Sequence, residues 1–171
     1  MPQFETRRRV AHSAGNMFNL VADVERYPEF VPLCQSLVVR SRTREGAAEV
    51  VTATMTVAYK LLHESYTSRI VLDRARHEIR VSYIDGPFRR LENVWSFRPA
   101  GDAACDVGFR ISYEFRSRLL QTLMGAVFDR AFRKFADAFE ARADRIYGRE
   151  RPAASGVEAG QGAAVKGSPS A

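Results

Sequence analysis

Apolar and polar residues alternate along several stretches of the chain, which is the spacing of half-buried β-strands. The clearest case is residues 105–115, where each odd position is apolar and each even position is polar or glycine. Similar alternation, rich in β-branched residues, predicts further strands, and the N-terminal segment is typical of an edge strand. The six predicted strands span residues 4–10, 49–59, 66–72, 79–83, 91–97 and 105–115. The turns between the later strands are too short for crossover helices, so the predicted sheet is antiparallel.

Helical spacing appears in two parts of the chain. Ser13 is a predicted N-cap for a short helix, and a second short helical turn over residues 25–30 ends before Pro32. From Ser117 apolar residues recur at helical spacing until Gly148 supplies a stop, which predicts a rod of about 45 Å. The fold class is therefore α+β, with a curved antiparallel sheet of six to seven strands around one long C-terminal helix. Because only short elements close the remaining opening, such a shape can hold an interior cavity.

The composition is that of one ordinary globular domain, since 46% of the 171 residues are hydrophobic and 27% are charged. After Gly148 the chain is dominated by Ala, Gly, Ser and Pro and has no aromatic residue. Such a segment buries too little apolar surface to offset the entropy of ordering. We therefore predict a folded domain over residues 1–148 and a disordered tail over residues 149–171.

Several features of the sequence indicate where in the cell the protein is located. Charges interrupt every apolar run, which excludes a membrane-spanning helix. Cys34 and Cys105 are too few for a disulfide framework, so a reducing compartment is favoured. The N-terminus has charge but no apolar core of a secretory signal. We expect a cytoplasmic protein.

The chain is basic, with a formal net charge of +6, and 23 of its 26 basic residues are arginine. These arginines are scattered, and no zinc finger, basic zipper or RNP-like strand is present, which argues against sequence-specific DNA binding. A pI near 9.7 favours contact with phosphate-rich surfaces, and composition leaves anionic lipid headgroups and ribosomal RNA as alternatives.

Motifs for catalysis or metal binding are missing from the sequence. The three histidines, His12, His63 and His77, have no zinc-ligand spacing, and we interpret them as surface or capping residues. There is no GxSxG elbow and no glycine-rich phosphate loop, and Cys34 has no basic neighbour. The prediction is a protein that is not an enzyme, with no catalytic residue, no metal and no catalytic cofactor.

Five segments in order along the chain carry a resemblance to a known family. They are VERYPEFVPLC at residues 24–34, DGPFRRL at 85–91, WSF at 95–97, YEF at 113–115 and AFEARA at 138–143. From about Phe4 to Gly148 the chain resembles the coenzyme Q-binding, START-like family of polyketide cyclase/dehydrase type. That family also contains bacterial ribosome-association toxins.

The resemblance implies a helix-grip fold, in which the sheet holds the C-terminal helix over a hydrophobic tunnel. It implies binding of ubiquinone (coenzyme Q) or a similar polyisoprenoid lipid without catalysis, in support of respiratory electron transfer. A carrier that loads from a bilayer is expected to touch the inner membrane peripherally. One alternative is a factor that binds the large ribosomal subunit and blocks subunit joining. Another is a polyketide cyclase or aromatase-like enzyme, for which His63 or Glu64 is the first candidate residue.

Carried onto this sequence, the resemblance implies three groups of ligand contacts. The mouth or lid group is Tyr27, Phe30, Pro32 and Leu33. The sheet wall group is Trp95, Phe97, Phe109 and Tyr113. The helix wall group is Leu123, Met124, Val127 and Phe128.

Overall fold

The structure is a computed structural model, and it describes residues 3–148. Seven strands form one antiparallel sheet in the order β1-β7-β6-β5-β4-β3-β2. The strands are β1 (Gln3–Val10), β2 (Cys34–Glu45), β3 (Ala48–Tyr59), β4 (Leu62–Asp73), β5 (Glu78–Asp85), β6 (Phe88–Pro99) and β7 (Cys105–Phe115). The helices are α1 (Ala14–Ala22), a 3₁₀ helix (Val24–Glu29) and α2 (Arg118–Tyr147). This arrangement confirms the predicted α+β fold, with β1 at one edge of the sheet.

Local hydrogen bonds explain where the two α-helices begin and end. The Ser13 Oγ accepts the Asn16 N–H at 3.0 Å, and the Ser117 Oγ accepts the Leu120 N–H at 3.2 Å. Each hydroxyl satisfies a backbone donor that the first helical turn leaves without a partner. Gly148 adopts a φ of +80° at the end of α2, a conformation that favours glycine. The predicted caps at Ser13, Ser117 and Gly148 are confirmed.

The long helix α2 packs along the concave face of the sheet. Near its middle the Phe132 ring meets the Tyr113 ring at 5.2 Å between centroids, and about two turns further on the Phe139 ring meets Trp95 at 4.8 Å. Arg8 on the edge strand β1 forms ion pairs with Asp137 and Glu140 of α2. The sheet therefore grips the helix from its centre to one edge.

The edge strand β2 was not predicted from hydrophobic spacing. Its residues from Arg40 onward are exposed, and its pairing with β3 is shifted between Cys34 and Ser36 and again between Val39 and Ser41. A strand without a continuous buried face, interrupted by bulges, loses the alternation by which strands are recognised.

The two ends of the sheet carry different connections. The β3–β4 turn, the β5–β6 turn and the β7–α2 connection lie at one end, because Tyr59 pairs with Leu62 and Phe88 pairs with Phe115. We call this the β3–β4 end. The β2–β3, β4–β5 and β6–β7 turns lie at the opposite end.

One histidine is placed differently from expectation. His12 is buried, and its Nε2 lies 2.7 Å from the Asp144 Oδ1 on α2, so the prediction of a surface or capping residue is wrong here. A fixed carboxylate partner lets the polar ring be buried.

Two predictions from the sequence concern the C-terminal tail and membrane-spanning helices. The predicted disordered tail at residues 149–171 lies outside the described residues. Within residues 3–148, no helix has the length and apolarity needed to cross a bilayer.

Candidate functional site

A cavity of about 60 Å³ lies between the concave face of the sheet and α2. It sits where the strands curve away from the helix, so the two layers do not close completely. Its walls are almost entirely aliphatic and aromatic. They comprise Val24, Tyr27, Leu37, Ala53, Met55, Tyr66, Ser68, Ile70, Ile79, Val81, Leu91, Asn93, Trp95, Ile111, Phe132, Phe135 and Phe139.

Few polar groups reach this cavity. Ser68 is buried among apolar neighbours, and Asn93 donates its Nδ2 to the Arg110 carbonyl at 2.9 Å. The Tyr66 hydroxyl donates to the Met55 sulfur at 3.4 Å. Burial raises the pKa of Tyr66, so its hydroxyl stays protonated. Within the described part of the chain, no Asp, Glu, His, Lys, Arg or Cys lines the cavity.

The 3₁₀ helix and Phe30, together called the lid, cover one side of the cavity. The Tyr27 and Phe30 rings both stand edge-on to Phe139 of α2, at centroid distances of 5.4 and 5.0 Å. The Tyr27 hydroxyl donates to the Val21 carbonyl at 2.6 Å, and burial raises its pKa. These contacts hold the lid closed over α2.

An ion pair also joins the lid to α2. The Arg142 Nη2 on α2 lies 2.5 Å from the Glu29 Oε1, and the Arg142 side chain is only 10% exposed. Hydrogen bonds from Arg142 and then Arg26 lower the pKa of Glu29. The carboxylate therefore stays charged at neutral pH and links the lid to the helix.

A second, smaller cavity of about 20 Å³ adjoins the first. It lies under the segment that follows the lid, where Pro32 and Leu33 face Val57 and Phe128. Four residues line both cavities, and they form the partition between them. They are Met55, Tyr66, Phe132 and Phe135.

Five of the predicted ligand contacts line one cavity or the other. Tyr27 and Trp95 line the larger cavity, and Pro32, Leu33 and Phe128 line the smaller one. The fold thus brings together members of the lid, sheet and helix groups, although they lie far apart in the sequence.

Other predicted contacts lie behind the cavity walls, where they support the lining residues. Phe30 packs on Phe139, and Phe97 and Phe109 both pack on Trp95. The buried Tyr113 donates its hydroxyl to the Gly125 carbonyl at 3.2 Å, which holds β7 to α2. Burial raises the pKa of Tyr113 to about 12.

The remaining three predicted contacts lie toward the start of α2. Met124 is buried in the core and Val127 packs against its edge, but neither lines a cavity. Leu123 is 49% exposed. The helical stripe is wider than the face that the sheet covers, so one of its rows points outward.

Two polar residues of the cavity were missed, although the sequence carries a signal for them. Ser68 stands between Tyr66 and Ile70 on β4, and Asn93 stands between Leu91 and Trp95 on β6. Both occupy positions that the alternation assigns to the buried face. A polar residue at such a position is the informative exception to burial of apolar residues.

The residues considered for an enzymatic alternative lie apart from the cavity. His63 is exposed, and Glu64 is half-buried beside Val57 on the neighbouring strand. Neither lines the larger or the smaller cavity. Among residues 3–148 there is also no group of three His, Cys, Asp or Glu side chains that could hold a metal ion.

The architecture and the cavity define a class of protein. Residues 10–140 match the family described as polyketide cyclase / dehydrase and lipid transport. The chain belongs to this family, as the resemblance in its sequence implied.

Particular relatives fall into two groups by name. The ribosome association toxin RatA of Escherichia coli strain K12 is 33% identical over 86% of this chain and 90% of its own length. The coenzyme Q-binding protein COQ10 homolog B of Xenopus laevis, a mitochondrial protein, is 33% identical over 86% of this chain and 60% of its own length. This chain is therefore similar to proteins of both names.

A solved structure agrees on the fold. The Zhui aromatase/cyclase of Streptomyces sp. R1128 superposes with a TM-score of 0.72, covering 87% of this chain and 96% of its own. Its sequence identity is 18%, so the likeness concerns the fold alone.

Proposed function

We propose that this protein binds ubiquinone or a related polyisoprenoid lipid without changing it chemically, as a carrier or chaperone that supports respiratory electron transfer. The observation that carries the proposal is the apolar cavity, in which Ser68 and Asn93 are the polar side chains besides two tyrosines. An isoprenoid tail offers only apolar contact, at about 25 cal/mol per Å² buried. A quinone carbonyl needs one donor, which a hydroxyl or a side-chain amide supplies.

The size of the cavity implies that ligand entry rearranges its walls. A cavity of about 150 Å³ accommodates benzene, and the larger cavity measures about 60 Å³. Because Met55, Phe132 and Phe135 separate the two cavities, rotation of these side chains joins them. Met55 is flexible enough for such a movement. In the joined space the quinone ring lies near Ser68 and Asn93, and the tail passes between Leu33 and Phe128.

The proposed contacts follow from this path. Tyr27 and Trp95 flank the ring, while Pro32, Leu33 and Phe128 contact the tail. We propose that the residues behind them shape the walls without direct contact.

Trp95 provides the test, because it is the one tryptophan of the chain and it lines the cavity. Titration with a short-tailed ubiquinone analogue is expected to quench its fluorescence to saturation. Organic extraction of protein purified from its native host is expected to yield quinone at near-stoichiometric amount. An empty protein whose fluorescence does not respond to the analogue would contradict the proposal.

A second candidate function is binding to the large ribosomal subunit, with inhibition of subunit joining. It is supported by the similarity to RatA and by a basic cluster on the outer face of the sheet. There Arg7, Arg9 and Arg98 surround Asp106. A hydrogen bond from Arg9 lowers the pKa of Asp106, and the charges of Arg98 and Arg7 lower it further. Three cations around one carboxylate favour a polyanion such as ribosomal RNA.

Sucrose-gradient sedimentation with ribosomal subunits tests the second candidate. Co-migration with the large subunit that is lost in Arg7→Gln/Arg98→Gln would support it. The matched control is Arg40→Gln/Arg44→Gln, which removes two exposed arginines from β2 at the opposite edge of the sheet. Absence from the large-subunit fraction would exclude this function.

A further inference from the structure

Large exposed apolar side chains are concentrated at the β3–β4 end of the sheet. Of the six in the described residues, four lie there: Leu61 at 97% exposed, Leu119 at 67%, Ile84 at 51% and Leu123 at 49%. The turns at the opposite end, residues 46–47, 74–77 and 100–104, contain no exposed large apolar residue. The asymmetry therefore marks one end of the molecule.

These side chains come from three different connections. Leu61 is at the tip of the β3–β4 hairpin, and Ile84 precedes the β5–β6 turn. Leu119 and Leu123 are four residues apart at the start of α2, so they lie on one side of that helix. Separate connections thus present exposed apolar side chains at the same end of the sheet.

Basic residues lie near the exposed apolar side chains at the β3–β4 end. Residues 59–64, 84–90 and 114–119 contain five cations, Lys60, Arg89, Arg90, Arg116 and Arg118, and three carboxylates, Glu64, Asp85 and Glu114. One carboxylate, Glu114, faces Arg89 at 3.6 Å. The surface is therefore net positive.

Arg118 is notable because it occupies the first turn of α2, which contains no acidic residue. A cation at a helix N-terminus is unfavourable for the helix itself. The charge of Arg118 thus disfavours α2, but it would attract an anionic surface outside the protein.

We propose that the β3–β4 end docks on an anionic lipid bilayer, with Leu61, Ile84, Leu119 and Leu123 inserted among the headgroups. The headgroups of a fluid bilayer rearrange around each protruding apolar side chain, and anionic headgroups attract the neighbouring cations. The smaller cavity, under Pro32 and Leu33, lies toward this same end, because Cys34 pairs with Val57 near the β3–β4 turn. Docking therefore places a lipid entrance next to the bilayer. The inference goes beyond ligand binding and does not depend on which lipid is carried.

Vesicle flotation tests the proposal with the full chain. The probe is vesicles of equal parts phosphatidylcholine and phosphatidylglycerol, compared with phosphatidylcholine alone. The wild-type protein is expected to float with the anionic vesicles. Leu61→Ser/Leu119→Ser is expected to bind them about tenfold more weakly, because two inserted leucines are lost.

The chain offers matched controls for each contribution. Ile146→Ser removes an exposed apolar side chain near the C-terminal end of α2, away from the β3–β4 end, and is expected to bind like wild type. Arg90→Gln/Arg118→Gln is expected to weaken binding to anionic vesicles only, whereas Arg44→Gln/Arg76→Gln at the opposite end leaves it unchanged. Thermal unfolding of each variant checks that the fold is retained.

The outcomes of vesicle flotation can be distinguished from those of the titration with a quinone analogue. No flotation of the wild type, or an equal loss in the Leu61/Leu119 and Ile146 variants, would overturn docking at this end. Quenching of Trp95 by a quinone analogue in detergent is measured without vesicles. A protein that binds the analogue but does not float would thus refute docking alone.

Discussion

The guanidinium of Arg142 lies over the ring of Phe30, with its central carbon 5.0 Å from the ring centroid. Phe30 ends the lid, and Arg142 belongs to the last part of α2. The same guanidinium pairs with Glu29. A single side chain of the helix therefore fixes both a charged and an aromatic residue of the lid, and the lid must release it to move.

Replacing Arg142 is expected to loosen the lid. Arg142→Ala should lower the free energy of unfolding by about 1–2 kcal/mol, the range for a largely desolvated cation–π contact with an ion pair. It should also raise the dissociation rate of a quinone analogue about tenfold, as followed by Trp95 fluorescence after dilution.

Arg133→Ala is the matched control for this prediction. Arg133 also lies over an aromatic ring, that of Phe4 at 4.9 Å, and pairs with a carboxylate, Asp129, but it does not touch the lid. If both variants released the analogue equally fast, Arg142 would have no specific part in closing the lid.

The pairing of Glu29 predicts a pH dependence. The pKa of Glu29 is lower in the folded protein than its ordinary value of 4.5, so its ion pair contributes stability above that value. This contribution is lost as the pH falls through the lowered pKa. Glu29→Gln should therefore melt below wild type at pH 7, and the two melting temperatures should converge as the pH falls below the lowered pKa of Glu29. A difference that persisted unchanged in acid would contradict the assigned pair.

Filling the cavity should block the ligand while keeping the fold. Ser68→Val adds apolar volume to a cavity of about 60 Å³ and suits a β-strand. We expect about tenfold weaker binding of the quinone analogue, with a free energy of unfolding equal to or up to about 1 kcal/mol above wild type. Ser82→Val, on the exposed side of β5, is the control and should leave binding unchanged. Undiminished binding by Ser68→Val would place the ligand elsewhere.

Both cysteines should be inert in the folded protein. Burial raises the pKa of the Cys34 and Cys105 thiols to about 11. At pH 8 only about one in a thousand of each is then thiolate, the reactive form. Ellman's reagent should react slowly until denaturant unfolds the chain and then titrate two thiols. Rapid reaction of either thiol in the native protein would contradict this prediction.

The alternation of apolar and polar residues was sufficient to predict most of the sheet, because strands with one buried face repeat every two residues. Thus β3 to β7, the edge position of β1 and the caps of both α-helices followed from sequence. The exposed and bulged β2 did not, because hydrophobic spacing carries no information about a strand without a buried face. Recognition of the family rested on short segments in order, not on periodicity.

The sequence by itself determined the fold class, the long helix and an apolar interior. Only the tertiary structure decided which apolar residues line the cavity. Trp95 and Phe97 share one face of β6, yet Trp95 borders the cavity and Phe97 packs against α1. Leu123 and Phe128 share the apolar stripe of α2, yet one is exposed and the other buried. The physical reason is that periodicity identifies a buried face, while the curvature of the sheet and the path of the helix decide where that face leaves a gap.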